Sequence, residues 1–143
     1  MEGLFRQYIK IYRSLMKHLN ELLEKYHLSY SLWQVIVYLE DGRTSTLVDI
    51  SNFYEVEKPS ITRRVHRLQE LGFVKEVPST NRREKIIELT AEGKRVYQRC
   101  RKEITALEHH ISKGLSEEEQ QNAFQFLIKI QDNIQSKEGL YSE

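Results

Sequence analysis

The sequence has 143 residues and lacks the features that mark several protein classes. It contains one cysteine, so no disulfide can form within the chain, and we expect a reducing cytoplasm as its compartment. No run of about 18 apolar residues occurs, which predicts that no segment spans a membrane. Charges at Arg6, Lys10 and Arg13 argue against a secretory signal peptide. The length suits one domain or one subunit of an intertwined dimer.

Motifs of common enzyme classes are also missing. The sequence has no glycine-rich phosphate loop, no nucleophile elbow and no paired histidine–carboxylate motif, so we do not expect an enzyme. His109 and His110 are adjacent, and neighbours on a helix point about 100° apart, which makes them a poor chelate. We therefore expect neither a metal site nor another cofactor.

Charge is sorted along the chain, although the net charge is only +1. Residues 58–85 contain eight basic and three acidic side chains, whereas residues 103–143 contain three lysines and eight acids. A local basic patch binds phosphate whatever the total charge is. The middle segment is therefore the candidate for contact with nucleic acid.

Apolar spacing predicts a mainly helical chain with one small hairpin, in the order helix, helix, short helix, helix, strand, strand, long helix, helix. Residues 3–26 carry an apolar stripe wide enough for a helix that is buried on two sides, as at a dimer interface. Either Ser29 or Ser31 can cap the second helix, which is expected to end at Gly42.

Local signals predict the shorter elements. Leu47, Ile50 and Phe53 lie three apart and form the expected apolar face of the short helix. Thr90 is the expected cap of the long helix, and Gly93 is interpreted as tolerated in the first turn of that helix.

The helix that begins at Pro59 is predicted to have two different faces. Ile61, Val65 and Leu68 are spaced by four and three, so they share a face that should pack on the preceding short helix. The opposite face carries hydroxyl and guanidinium groups, and an arginine in the major groove contributes roughly 1–3 kcal/mol of base discrimination. The candidates for DNA contact on this helix are Lys58, Ser60, Thr62, Arg63, Arg64 and Arg67.

A basic hairpin follows this helix after Gly72. Alternating and β-branched residues predict strands at 73–77 and 86–89, joined by a polar loop. Such a loop, or wing, lays arginine on the DNA backbone or into the minor groove. The candidates for DNA contact here are Arg82, Arg83 and Lys85. The short helix, tight turn, basic helix and basic hairpin together form a winged helix-turn-helix pattern, which favours DNA binding.

Four segments are specific as a set, although none is specific alone: residues 28–35, residues 60–63, residues 67–74, and Arg83 followed by residues 89–93. Together they resemble the MarR (multiple antibiotic resistance regulator) family of bacterial transcription factors over nearly the whole length. Two positions depart from the family pattern. Asn81 stands where an aspartate is usual and Glu76 where an arginine is frequent, so we expect the wing arginine to lack an orienting salt bridge.

The resemblance implies a mainly α (α+β) fold, with a winged helix-turn-helix lobe at 28–90 and a helical dimerisation region at 1–27 and 91–138. It implies a homodimer whose two recognition helices lie roughly 34–36 Å apart on a pseudo-palindromic, double-stranded DNA operator. It also implies repression that a small anionic or phenolic effector, an oxidant or a metal relieves. Tyr12, Tyr30 and Trp33 are the candidates for lining the effector cleft, with the hydrophobic core as the competing interpretation.

Two further functions stay open. A redox-responsive regulator would use Cys100, because Arg99 and Arg101 flank it and favour thiolate character. A lone helical cysteine is otherwise a small buried hydrophobe. A winged-helix module used only for protein contacts would show no salt-sensitive binding to duplex DNA.

Overall fold

The computed structural model describes residues 2–41, 45–79 and 84–136 of the chain. The predicted order of elements and the mainly helical winged-helix class are confirmed, with one additional short strand. The elements are α1 (Leu4–Glu24), α2 (Tyr30–Glu40), β1 (Ser45–Thr46), α3 (Leu47–Tyr54), α4 (Lys58–Glu70), β2 (Val74–Val77), β3 (Ile86–Leu89), α5 (Ala91–Ile111) and α6 (Glu117–Ser136).

Two compact units divide the chain, Met1–Thr105 and Ala106–Glu143. The first unit contains α1, the winged lobe and most of α5. The core of this unit is built from aliphatic side chains and Trp33, and its most deeply buried members include Leu23, Val35, Ile36, Ile50, Ile61, Leu68 and Ile87. Across the described ranges, no helix has both the length and the hydropathy that a membrane span requires.

Helix α1 is buried only toward its C-terminal end. It follows Gly3, which adopts a φ of 97°, and it contacts α2 and buries Leu19 and Leu23. Toward the N-terminus the large apolar side chains are exposed instead: Leu4, Phe5, Tyr8, Ile9, Ile11 and Tyr12. A single chain therefore leaves most of the predicted wide stripe uncovered.

Helix α2 begins at a serine cap. Ser29 Oγ accepts a hydrogen bond from the backbone N–H of Leu32 at 3.3 Å, so Ser29 rather than Ser31 is the cap. The helix ends at Glu40, and the predicted stop at Gly42 lies outside the described residues.

Helix α3 starts with a capping box that the sequence interpretation missed. Thr46 Oγ1 accepts from the backbone N–H of Asp49 at 3.1 Å, and the Asp49 carboxylate accepts from the N–H of Thr46 at 3.0 Å. Leu47 and Ile50 are buried as expected, but Phe53 is 61% exposed and contacts the ring of Tyr38 edge-on. The apolar face of α3 is therefore buried at Leu47 and Ile50 but not at Phe53.

The sheet has three antiparallel strands in the order β1-β3-β2. β2 pairs with β3 in a register that places Val74 opposite Leu89 and Val77 opposite Ile86. β2 begins at Val74, one residue later than predicted, because Phe73 belongs to the turn that leaves α4. β1 was not predicted, since a strand of two residues has no periodicity to detect.

The turn after α4 is bound to the start of α5. Gly72 has a φ of 81°, the left-handed region that favours glycine. Thr90 caps α5 as predicted, accepting from the N–H of Gly93 at 3.0 Å, and its hydroxyl donates to the carbonyl of Gly72 at 2.6 Å. A Cβ at Gly93 would lie 2.1 Å from the carbonyl oxygen of Phe73. The helix thus tolerates glycine at position 93, as interpreted, and the close approach of Phe73 also requires it there.

The second unit contains the end of α5 and α6. Gly114, with a φ of 89°, lies in the turn between the two helices. A capping box begins α6, because Ser116 Oγ accepts from the N–H of Glu119 and the Glu119 carboxylate accepts from the N–H of Ser116, each at 3.1 Å. No residue of α6 is buried.

Candidate nucleic-acid interface

Helix α4 is fixed to the lobe by one apolar face. The helix begins at Lys58, one residue before the predicted start, with Pro59 in its first turn. Ile61, Val65 and Leu68 are all buried, and α4 contacts both α3 and α2. The predicted packing face of this helix is therefore confirmed.

The opposite face of α4 is polar and largely accessible. Arg63 is exposed, and its Nη2 donates to Ser60 Oγ at 3.0 Å. Thr62 is exposed too, and its hydroxyl donates to the carbonyl of Lys58 at 3.0 Å. Both bonds are made within the helix and not to other elements. Arg63 and Thr62 are therefore free to contact a DNA groove from this face of α4.

A carboxylate at the end of α4 binds two of its cationic or titratable neighbours. Arg67 Nη1 lies 3.2 Å from Glu70 Oε2, and His66 Nε2 lies 3.0 Å from Glu70 Oε1. Residues three and four apart are neighbours on a helix surface, so the sequence contained the signal for these contacts. Glu70 lies beside the predicted DNA-contact residue Arg67, and the sequence interpretation did not single it out.

Arg64 does not belong to the exposed face on which it was predicted. Its side chain is half-buried, and Nη1 is buried without a hydrogen-bond partner among the described residues. Arg64 lies near Tyr54, where burial raises the pKa of the phenol to about 12 and the charge of Arg64 partly opposes that rise. On a helical projection, position 64 lies next to Leu68, at the border of the apolar face. This position explains why the side chain turns toward α3.

The hairpin places its described lysines opposite acids. Lys85 Nζ lies 3.8 Å from Glu76, and Lys75 Nζ lies 3.5 Å from Glu88. Glu76, one of the departures from the family pattern, thus pairs with a lysine across the hairpin. The other wing candidates, Arg82 and Arg83, and the departure at Asn81 lie outside the described residues.

A cleft of about 540 Å³ joins the start of α4 to the base of the wing. It brings together three of the predicted contact residues, Lys58, Thr62 and Lys85, with the first turn of α3. Its other lining residues include two acids, Asp49 and Glu84. The basic groups of helix and wing therefore border one concave surface.

The three candidates for the effector cleft have different environments. Trp33 is only 3% exposed and stacks on Tyr97 with ring centroids 5.3 Å apart. Tyr12 is half-exposed on α1, and Tyr30 is half-buried at the start of α2. Trp33 thus belongs to the core, whereas both tyrosines keep accessible surface.

Cys100 is fully buried on α5. Burial raises the pKa of its thiol to about 11, the nearby carboxylate of Glu103 raises it further, and Lys25 acts in the opposite direction. These observations favour the interpretation of Cys100 as a small buried hydrophobe over the alternative of thiolate character, because burial disfavours the charged form of the thiol.

Sequence comparison places the chain among transcriptional regulators. Residues 28–93 match the family described as the winged helix DNA-binding domain. The chain is 30% identical over 118 residues to the uncharacterized HTH-type transcriptional regulator YwoH of Bacillus subtilis, covering 82% of this chain and 85% of that protein.

Structural comparison identifies the same fold in solved regulators. The Staphylococcus aureus MarR in complex with salicylate and kanamycin superposes with a TM-score of 0.87 at 22% identity, covering 95% of this chain and 93% of that one. A mutant MarR from E. coli complexed with operator DNA gives a TM-score of 0.81 at 21% identity, covering 90% and 94%.

Proposed function

This chain belongs to the HTH-type transcriptional regulators, and because it shares the fold of solved MarR structures, we propose that it is a repressor of the MarR type. We propose that it binds a pseudo-palindromic operator as a homodimer and releases it when an effector binds. Its character as a DNA-binding regulator is supported by the relative named above, which is named an HTH-type transcriptional regulator, and we propose that the chain is not an enzyme. We further propose that it acts in the cytoplasm, where its target DNA lies.

The observation that carries the proposal is the two-sided helix α4. Its buried residues hold it on the lobe, while Arg63 and Arg67 stay exposed on the other side. A helix of 13 residues is about 20 Å long, and the major groove of B-DNA admits a helix. Exposed guanidinium groups on such a helix bind both phosphates and guanine edges.

Exposed apolar side chains in each unit support homodimerisation. In the first unit they line the N-terminal part of α1, and in the second unit α6 exposes Phe124, Phe126, Leu127, Ile128 and Ile134. Large exposed apolar patches on a small chain mark sites of association. Two joined copies must present their α4 helices roughly 34–36 Å apart to enter successive turns of the major groove.

We propose a small anionic or phenolic molecule as the effector. The similar S. aureus MarR structure contains salicylate. Tyr12 and Tyr30 offer accessible phenol groups to such a molecule. Trp33 is buried in the core and is not proposed to contact the effector. A rise in the Kd for operator DNA on addition of salicylate, absent with an equal concentration of sodium chloride, supports this part of the proposal.

Two alternatives make different predictions. A winged-helix module for protein contacts alone predicts no binding to duplex DNA at any salt concentration. A redox-responsive regulator predicts that Cys100→Ser abolishes a peroxide response, although the burial and raised pKa of Cys100 count against its reactivity.

Fluorescence anisotropy with the chain's own upstream DNA tests the proposal. We expect saturable binding that weakens steeply as salt rises, with a stoichiometry of two chains per site. A scrambled duplex of equal length is the control and should bind at least about a thousand-fold more weakly. Equal affinity for both duplexes, or no binding in dilute buffer, would overturn the proposed function.

A further inference from the structure

The two exposed arginines of α4 differ in what neutralises them. Arg63 donates to the uncharged hydroxyl of Ser60 at 3.0 Å and keeps its full charge. Arg67 lies 3.2 Å from the carboxylate of Glu70, which offsets its charge. The same carboxylate uses its other oxygen for His66 at 3.0 Å. Both oxygens of Glu70 are therefore occupied by side chains of the proposed DNA-binding face.

We propose that Glu70 is a built-in competitor of the DNA backbone, and that its carboxylate holds Arg67 until a phosphate replaces it. This inference rests on the proposed function. A carboxylate and a phosphate offer guanidinium the same charge-assisted hydrogen bonds, so one acceptor can substitute for the other. Glu70 thereby lowers the affinity for every DNA sequence alike, because the phosphate backbone that it competes with is the same in all of them.

Exposure keeps this competition reversible. Arg67 and Glu70 are 49% and 50% exposed, so water and salt screen the pair and DNA can displace the carboxylate. Surface pairs of this kind change an equilibrium by a few-fold and not by orders of magnitude. Glu70 therefore adjusts affinity without preventing DNA binding.

Glu70→Gln removes the competing charge and keeps the shape of the side chain. We expect this variant to bind operator about two- to five-fold more tightly than wild type. The magnitude of its salt slope should increase by up to about one, since one more cation becomes available to phosphate.

A double-mutant cycle separates the pair from a general loss of negative charge. In an Arg67→Ala background, Glu70→Gln should tighten binding by a clearly smaller factor than it does with Arg67 present. Glu57→Gln is the matched control, because Glu57 is exposed at the start of α4 and its side chain makes no cap hydrogen bond. Its effect should be the same with and without Arg67.

Anisotropy titrations of the full chain on its upstream duplex at four salt concentrations give all these values. A Glu70→Gln effect that is equal in both backgrounds would overturn the role of Glu70 while leaving the proposed function intact. Absence of DNA binding by the wild type would overturn both, so the two failures are distinguishable.

Discussion

Gly93 lies so close to the turn after α4 that a Cβ there would be 2.1 Å from the carbonyl oxygen of Phe73 and 3.0 Å from its carbonyl carbon. The same carbonyl accepts a hydrogen bond from the backbone N–H of Thr90 at 3.0 Å. The end of the recognition helix is thus docked on the start of α5 through backbone atoms, which cannot move aside as a flexible side chain would.

Gly93→Ala should destabilise the chain by about 1–3 kcal/mol, because the added methyl group must displace packed backbone. Urea unfolding monitored by circular dichroism measures this change. Lys94→Ala, at the exposed neighbouring position, is the control and should stay within about 0.5 kcal/mol of wild type. Equal midpoints for the two variants would contradict the close approach.

Arg64→Met should leave stability unchanged or raise it by about 1 kcal/mol. The substitution keeps an apolar stem at this half-buried position and removes a buried donor that has no partner among the described residues. Arg63→Met, on the exposed face, should have an effect within about 0.5 kcal/mol. A clear loss of stability in Arg64→Met alone would mean that the guanidinium makes a favourable interaction.

Arg63→Ala should weaken specific operator binding by about 1–3 kcal/mol and relax selectivity at one base position. Competition titrations against operators with single base changes measure both effects. Arg95→Ala provides the control, because Arg95 is also exposed but belongs to α5 and is paired with Glu92. If Arg63→Ala weakens all operators equally, Arg63 contacts the phosphate backbone rather than a base.

Arg83→Ala should weaken binding to all sequences and flatten the salt dependence by about one unit of slope. This prediction rests on the sequence alone, which places Arg83 in the predicted wing, because Arg83 lies outside the described residues. Titrations on operator and on scrambled duplex at several salt concentrations test it. Salt slopes that match those of wild type would show that Arg83 does not contact the DNA backbone.

Glu103 joins the end of α1 to α5, and its removal should reduce stability at neutral pH. Its carboxylate accepts from Lys25 Nζ and from the hydroxyl of Tyr26, each at 2.5 Å, and these bonds lower its pKa. A carboxyl with a lowered folded-state pKa stabilises the fold above its unfolded pKa, and that contribution is lost as pH falls through the folded value.

Glu103→Gln should therefore cost less than about 1 kcal/mol at pH 7, because Lys25 is 59% exposed and solvent screens the pair. The difference from wild type should shrink as pH falls below about 4.5, toward the lowered pKa of Glu103. Urea midpoints between pH 7 and the onset of acid unfolding measure this trend. A difference that stays constant over this range would contradict the ionic role of Glu103.

Spacing along the chain was sufficient to predict every described element except β1, and to predict the buried face of α4. Ile61, Val65 and Leu68 are buried as their spacing predicted, because helical periodicity depends only on positions in sequence. The caps at Ser29, Thr90 and Ser116 were predictable for the same reason, since each bonds a backbone group within three residues.

Contacts between distant segments decided what spacing could not. Tyr26 and Glu103 are 77 residues apart, and the clash that demands glycine at 93 comes from a carbonyl 20 positions earlier. Arg64 occupies a border position on α4. At such a position the packing of the neighbouring helices determines whether the side chain faces solvent or lies near Tyr54.

The sequence alone thus determined the local hydrogen bonds, the faces of the helices and the kind of chemistry that α4 offers, because these depend on neighbours within about one helical turn. Only the tertiary structure decided that Arg64 turns inward, that Phe53 stays exposed and that Cys100 is enclosed. Burial is set by what other segments cover, and that information is spread over the whole chain.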